Sequence, residues 1–289
     1  MRFEYLEPET IEETLTILSQ YQGESKIISG GTDLMLQIRN KAIKPECVVD
    51  ITRIPGLDYI AFDDRQGLRL GALTTIRALE TSVELQRRYP IISQAASQLG
   101  SVAIRNVATV GGNLCNALPS AETSQALLAL SAKVRIIGPR GERTVSLGDF
   151  FTGVGKTLLQ PDEVLLEILI PELAPHTSGI YIKHSHRGPI DLAIVNITVL
   201  MTMEPDRKVC SDAKIVLGAV SPTPLRARKA ENVLKGERVD AALIDRAAQV
   251  ASDEAHPRHG SIRGSFEYKK EMVRVLTGRA MKEIMASYT

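Results

Sequence analysis

The stretch that most constrains this chain is residues 109–122, TVGGNLCNALPSAE. It carries the pair Gly111-Gly112, small polar side chains, a proline stop at Pro119 and, in Ser120, a serine able to cap a following helix. Without a Cβ, glycine lets the backbone turn sharply and lets a ligand approach peptide N–H groups closely. A nest of such groups ahead of a helix N-terminus is a natural seat for a diphosphate. One Gly-Gly pair is most often only a turn. A second pair upstream, in Ser29-Gly30-Gly31-Thr32-Asp33-Leu34, changes the expectation: two small-residue loops could grip one pyrophosphate from opposite sides.

At 289 residues the chain has room for two domains, or for one domain with a substantial appendage. A formal charge of +1 offers no electrostatic argument for nucleic acid or an anionic membrane as partner. Aromatic residues make up 4%, with no tryptophan, so base-stacking platforms are not evident. The opening MRFEYLEPET lacks the apolar core of a secretory signal. No run approaches the roughly 18 apolar residues of a membrane span; even 192–203 is broken by Asn196 and two threonines. Cys47, Cys115 and Cys210 are odd in number and far apart, which suits neither a disulfide framework nor a CxxC-type metal or iron–sulfur site. The expectation is a reduced, cytoplasmic protein whose thiols are small core residues.

Taken in order, Thr10-Ile11-Glu12-Glu13 is a capping-box signature, with Ile11, Leu15, Leu18 and Tyr21 at helical spacing and Gly23 as the stop. Residues 26–29 read as a short strand entering the first glycine loop, followed by an apolar segment (Leu34, Leu36, Ile38). Residues 47–51 read as a buried strand closing a small α/β lobe before Pro55-Gly56. Residues 57–62 and 68–70 suggest a hairpin around Asp63-Asp64-Arg65-Gln66-Gly67. Thr74 is placed to cap a helix through Leu85, Pro90 to start one holding Ala95, Ala96 and Leu99, and Ser120 to cap one through Leu130. Residues 101–107 lead into the second glycine loop. Alternation over 133–137, a Gly138-Pro139-Arg140-Gly141 turn and a return over 144–147 make a second hairpin. The mixture predicts an α+β lobe of antiparallel strands, and no G-x-G-x-x-G stands between a strand and a helix, so the Rossmann fingerprint is absent. A boundary is expected near 171–175. Beyond it lie three antiparallel strands (180–183, 192–204, 210–221) and three helical segments (226–235, 241–255, 265–285). The last helix carries Met272, Val275, Leu276 and Met281 on a mostly apolar stripe.

Further motifs accompany the glycine loops. After Ser29-Gly30-Gly31-Thr32-Asp33-Leu34 comes Ile104-Arg105-Asn106-Val107-Ala108-Thr109-Val110-Gly111-Gly112-Asn113-Leu114. Then follow Asp149-Phe150-Phe151-Thr152-Gly153 and Leu159-Gln160-Pro161-Asp162-Glu163-Val164-Leu165. The second half holds Tyr181-Ile182-Lys183 with Arg187 and Asp191-Leu192-Ala193, then Gly218-Ala219-Val220-Ser221-Pro222-Thr223-Pro224, then Arg263-Gly264-Ser265-Phe266-Glu267-Tyr268-Lys269. In this order and spacing, nearly end to end, the chain resembles the medium, FAD-binding subunit of the molybdenum hydroxylases, the family of xanthine dehydrogenase and aerobic carbon monoxide dehydrogenase.

The resemblance implies an α+β fold: a two-lobed FAD-binding domain of the vanillyl-alcohol-oxidase type over 1–173, with lobe one about 1–55 and lobe two about 56–173. A C-terminal flavoprotein domain over 176–289 would hold a three-stranded antiparallel sheet plus helices. Gly30, Gly31, Thr32 and Asp33, flanked by Ser29 and Leu34, would form one wall of the pyrophosphate site, and Thr109, Gly111, Gly112 and Asn113 the other. Backbone and side-chain donors suffice there without lysine or arginine. Glu122 departs from the family, which carries an aspartate expected to accept from ribose or ribityl hydroxyls; the longer side chain either keeps that contact or simply favours the positive end of the following helix. Relatives that attach FAD covalently carry histidine where Thr32 stands, so the flavin is expected to be held noncovalently. Lys183 is expected to reach the isoalloxazine, where a cation stabilises the charge of the reduced ring; the plainer reading is a solvated lysine at a strand end. Asp191 is expected to fix Arg187 or the strand turn. His184, His186, His256 and His259 are expected to be polar surface rather than metal ligands. Some relatives insert a loop with four cysteines for a four-iron cluster, which the three scattered cysteines rule out.

The function implied is electron relay. The molybdenum cofactor would sit on a large partner subunit, two two-iron clusters on a small iron–sulfur subunit, and FAD here. The external acceptor would be NAD, a quinone, a ferredoxin or another carrier, the assembly a dimer of heterotrimers, with no nucleic acid and no membrane span. No residue is cast as catalytic and none as a metal ligand. Two other classes stay open: a stand-alone FAD-dependent reductase of the same fold, similar to the enolpyruvyl-glucosamine reductases, and a non-catalytic scaffold that happens to carry glycine turns.

Overall fold

Short apolar strands separated by helices open the chain: β1 (Glu4–Leu6), α1 (Ile11–Gln20), β2 (Ser25–Ile28), α2 (Leu34–Arg39) and β3 (Cys47–Asp50). The computed structural model describes residues 2–63 and 67–288, so the predicted hairpin tip at Asp64, Arg65 and Gln66 lies outside the described residues. The Thr10 side chain caps α1 by accepting from Glu13 N, while the Glu13 carboxylate accepts from the Glu9 amide. Gly23 follows the helix at φ +98°, a region that favours glycine. With a helix between successive strands, the pairing is parallel, in the order β1-β3-β2. The apolar segment after the first glycine loop is α2.

Lobe two contains β4 (Ile60–Asp63) and β5 (Gly67–Gly71), then the helices α3 (Ile76–Thr81), α4 (Val83–Arg88), α5 (Pro90–Ser97), α6 (Val102–Arg105), α7 (Val110–Asn116) and α8 (Glu122–Ala129). It continues with β6 (Lys133–Gly138), β7 (Gly141–Ser146), α9 (Leu147–Phe150), the small β8 (Phe151–Gly153) and β9 (Lys156–Thr157), and β10 (Val164–Ile170). The five long strands form an antiparallel sheet in the order β4-β5-β10-β6-β7.

Several helix boundaries differ from expectation for local reasons. Thr75, not Thr74, caps α3, because the Thr74 hydroxyl is engaged with the Tyr59 backbone, donating to its carbonyl at 2.8 Å. The helix expected through Leu85 breaks at Ser82, whose ψ of 112° leaves the helical region and whose side chain then caps α4. Residues 101–107 include α6, capped by Ser101. Ser120 does not cap α8; the N-cap is Ala121, with no side-chain bond.

The C-terminal part holds β11 (Thr177–His184), a 3-10 turn (Gly188–Ile190), β12 (Val195–Met203), β13 (Cys210–Gly218) and β14 (Leu225–Arg226) in an antiparallel sheet of that order. The sheet thus has a fourth strand beyond the three expected, a two-residue edge following the turn with Pro222 and Pro224. Helices α10 (Arg228–Leu234), α11 (Ala241–Glu254) and α12 (Phe266–Ala286) cover it, with Val273, Leu276, Ala280, Met281 and Ile284 buried on α12. The other face of this sheet joins the lobe-two core, where Tyr181, Leu200 and Val216 pack with Leu70, Ile92, Leu127 and Ile168. Cys47 and Cys210 are buried, whereas Cys115 is exposed rather than a core residue.

Candidate functional site

The glycine pair of the second loop is not a turn. Thr109 caps α7, its hydroxyl accepting from Gly112 N at 3.0 Å, and both Gly111 and Gly112 lie within the helix. Glycine is a poor helix former, but packing demands it here. A Cβ on Gly111 would stand 2.6 Å from the Ala72 carbonyl oxygen, which already accepts from Gly111 N at 2.9 Å. Gly30 is held as tightly, since a Cβ there would lie 2.1 Å from the Val107 carbonyl oxygen. These two glycines therefore serve backbone contacts within the protein. Gly30 docks the 29–34 loop on the residues just before α7, where the Ser29 and Thr109 hydroxyls are 3.0 Å apart, while Gly111 seats α7 on Ala72. Gly112 differs: it is exposed, and a Cβ would enter the gap between the loops, 3.0 Å from Thr109 Oγ1 and 3.2 Å from Ser29 Oγ.

The backbone N–H groups of residues 29–33 find no acceptor among the described residues. Amides withdrawn from water are nearly always paired, so a run of open donors in a mostly half-buried loop is an array in search of an acceptor. Across the gap, Asn113 Oδ1 accepts from the Thr123 hydroxyl, which fixes the amide and leaves its nitrogen to donate. Asp33 and Cys115 belong to the two loops. Both side chains are accessible, yet burial by the surrounding protein raises the Asp33 carboxyl and pushes the Cys115 thiol up to about 12.

A buried ion pair closes one side. Glu122 is the first residue of α8, and Lys183 lies near the end of β11, 61 residues later. The Lys183 ammonium donates to Glu122 Oε1 at 2.7 Å, to the Gln98 carbonyl at 2.8 Å and to the Pro189 carbonyl at 3.0 Å. An ammonium has three donors, and all three are used; the side chain is 1% exposed, not solvated. Burial pushes the Glu122 carboxyl up, Lys183 pulls it back, and the charge of Asp33 adds to the rise, which ties the first loop to α8. Tyr181 lies beside the pair. Its hydroxyl accepts from Asn196 Nδ2 at 3.1 Å, and burial, aided by the charge of Glu122, raises it well above the ordinary tyrosine range.

Residues 1–173 match the family model described as the FAD binding domain in molybdopterin dehydrogenase, and residues 180–284 match the CO dehydrogenase flavoprotein C-terminal domain. The chain belongs to the FAD-binding flavoprotein subunits of the molybdenum hydroxylases. It is 30% identical to the nicotinate dehydrogenase FAD-subunit of Eubacterium barkeri, over 98% of this chain and 96% of that one. The xanthine dehydrogenase FAD-binding subunit of Escherichia coli O157:H7 is 28% identical, over 96% and 94%. A chain in the solved carbon monoxide dehydrogenase from Hydrogenophaga pseudoflava matches with a TM-score of 0.94 at 31% identity, covering 99% of this chain and 98% of its own.

In this flavoprotein subunit the fold brings Ser29 against Thr109 and Gly112 and Gly30 against Val107 and Ala108, and sets Glu122 on Lys183. Arg187 and Asp191 pair, with Nε donating to both carboxylate oxygens at 3.0 and 3.1 Å, as expected. Sequence reasoning missed the carbonyls of Gln98 and Pro189, which carry no side-chain signal. It also missed Thr123, although the wholly buried polar run Glu122-Thr123-Ser124-Gln125 opening α8 was visible as an anomaly for an interior helix. His184 Nε2 lies 2.8 Å from the Tyr268 hydroxyl, and His259 stacks on Phe266. Among the described residues no group of three or more His, Cys, Asp or Glu is placed to hold a metal, and no helix is long and apolar enough to cross a membrane.

Proposed function

We propose that this subunit holds FAD noncovalently in the two-loop cleft and relays electrons from two-iron clusters on a small partner subunit to an external acceptor. The molybdenum cofactor belongs on a large partner subunit, in a dimer of such heterotrimers. The observation that carries the reading is the open run of amides at 29–33, in a loop whose Ser29 Oγ lies 3.2 Å from the Cβ position of exposed Gly112. That donor set fits a diphosphate, which asks for several directed N–H groups and no lysine or arginine. Bound there, FAD supplies the redox chemistry, exchanging one or two electrons.

The chain's own residues do the holding. Gly112 keeps the gap between the loops clear, and Thr32 offers no imidazole for a covalent link. Glu122 has Oε1 on Lys183, leaving Oε2 to accept from a ligand hydroxyl. Lys183 acts through Glu122, supplying the counter-charge from the second domain. The Arg187–Asp191 pair and the bond from Lys183 to Pro189 brace the 187–191 segment over the pair.

Co-purification of the intact complex, followed by metal and flavin analysis, tests this directly: molybdenum, iron and one FAD per copy of this chain are expected. The chain purified alone with FAD should be yellow and inactive toward the complex's substrate. Substrate turnover without partners would sink the relay reading in favour of a stand-alone reductase, and a colourless protein indifferent to FAD would sink the cleft assignment.

A further inference from the structure

The segment leading into Glu122 lacks a side-chain cap, since Ala121 stands at the N-cap of α8, and much of its hold comes from the C-terminal sheet. Asn196 pairs with Lys183 on one side and with Gly218 on the other, so the three are neighbours across β11, β12 and β13. Each of these strands bonds one residue of the segment. From β11, Lys183 donates to Glu122 Oε1 at 2.7 Å. From β12, Asn196 Nδ2 donates to the Ser120 carbonyl at 3.4 Å. Just past β13, the Ala219 amide donates to the Pro119 carbonyl at 2.7 Å, where Gln125 Nε2 also donates at 3.1 Å.

The bond from Ala219 depends on a strained residue. Ala219 has φ +62°, a region that residues with a Cβ rarely adopt. On its other side the Ala219 carbonyl accepts from the Lys269 ammonium of α12 at 2.9 Å. The dihedrals of Ala219 relate these two bonds, so fixing the carbonyl while Pro119 holds the amide keeps the residue in its left-handed conformation. Lys269 is 6% exposed and forms no ion pair among the described residues. Withdrawing an ammonium from water is unfavourable unless it finds an acceptor, and the acceptor found here is that one peptide oxygen. The next carbonyl, of Val220, accepts from the His256 amide at 2.9 Å, a backbone bond that a side-chain change at 269 leaves in place.

We infer, on the reading that Glu122 accepts from a ligand hydroxyl in the cleft, that Lys269 is a positioning residue of the flavin site, acting through Ala219 and Pro119 to set Glu122 at the head of α8. Without the ammonium, Ala219 relaxes toward negative φ and its amide turns away from Pro119. The lead into Glu122 then loosens, although Lys183 keeps its own three acceptors. Glycine takes a positive φ without strain, so Ala219→Gly removes the need for the lysine.

The test is fluorescence titration of the purified chain with FAD, with urea unfolding run alongside to fix conditions in which each variant is folded. Lys269→Met is expected to weaken FAD binding at least about tenfold, and Ala219→Gly in the same background to bring it back to within about threefold of the parent. A lysine needed only for stability shifts the unfolding midpoint and leaves the FAD dissociation constant of the folded protein unchanged. That result overturns the assignment, as does a loss that Ala219→Gly fails to restore. If Lys269→Met alone does not fold, the double variant decides: a folded protein that binds FAD supports the positioning role, and an unfolded one overturns it. A parent chain that binds no FAD overturns the cleft reading and this assignment with it, whereas a parent that binds FAD no better than Lys269→Met overturns this assignment alone.

Discussion

Deleting the counter-charge of Glu122 gives the sharpest reading of the buried pair. Lys183→Met keeps the length and apolar stem of the side chain but removes the ammonium that Glu122 Oε1, Gln98 and Pro189 share. Breaking one side of a buried pair costs about 3–5 kcal/mol while the other charge remains. Glu122 can escape part of that by taking up a proton, since one unit of pKa corresponds to about 1.4 kcal/mol. Its carboxyl already lies above the ordinary 4.5 because burial outweighs Lys183, and losing Lys183 raises it further. An acid with a raised folded pKa binds its proton more tightly folded than unfolded, so stability falls as pH rises from the unfolded value through the folded one. The variant is therefore expected to be about 3–5 kcal/mol less stable than the parent near pH 8 and much closer to it near pH 5, the reverse of ordinary acid sensitivity. Urea unfolding of the flavin-free chain across that range measures it, and Glu122→Gln in the same background should flatten the difference. A destabilisation equal at every pH would refute the reasoning.

Two glycine substitutions separate packing from ligand approach. Gly112→Val adds a side chain in the gap between Thr109 and Ser29, and should abolish flavin retention, read as lost visible absorbance, while circular dichroism stays unchanged. Gly111→Val drives into the Ala72 backbone instead and should lower stability by at least about 3 kcal/mol in urea unfolding, flavin or not. Gly218→Ala places a methyl 2.0 Å from Asn196 Oδ1 and 2.2 Å from Gln125 Nε2, and should cost about 1–3 kcal/mol by the same measurement.

Much of the architecture was legible because it rests on local chemistry. The Thr10 cap, the alternation of β6 against β7 and the glycine-bounded turn between them depend on neighbours in sequence. What escaped depends on contacts that no local pattern encodes. Gly111-Gly112 read as a turn since glycine disfavours helix, yet Thr109 caps a helix there and Gly111 is required where that helix meets the Ala72 backbone. Thr74 read as a cap because its partner on Tyr59 comes from another segment. Lys183 read as a ligand group or a solvated one; its three acceptors lie on three different segments, two of them backbone carbonyls. Both glycine loops were found from their glycine pairs, but only the fold shows that Gly30 packs on Val107, Gly111 on Ala72, and Gly112 faces the gap.

The strand order of lobe two has a consequence for how the chain is made. β10 sits at the centre of the sheet, between β5 and β6, yet is the last of the five to be synthesised. Until it arrives, β4–β5 and β6–β7 exist only as separate hairpins, each showing an open inner edge to any strand nearby. Insertion of β10 aligns Ile168 with Leu70 on one side and Val134 on the other, long-range contacts that form slowly. A nascent chain stalled just short of residue 164 thus carries two half-sheets waiting for one strand, the stage of synthesis at which this subunit is most exposed to pairing with a second copy of itself.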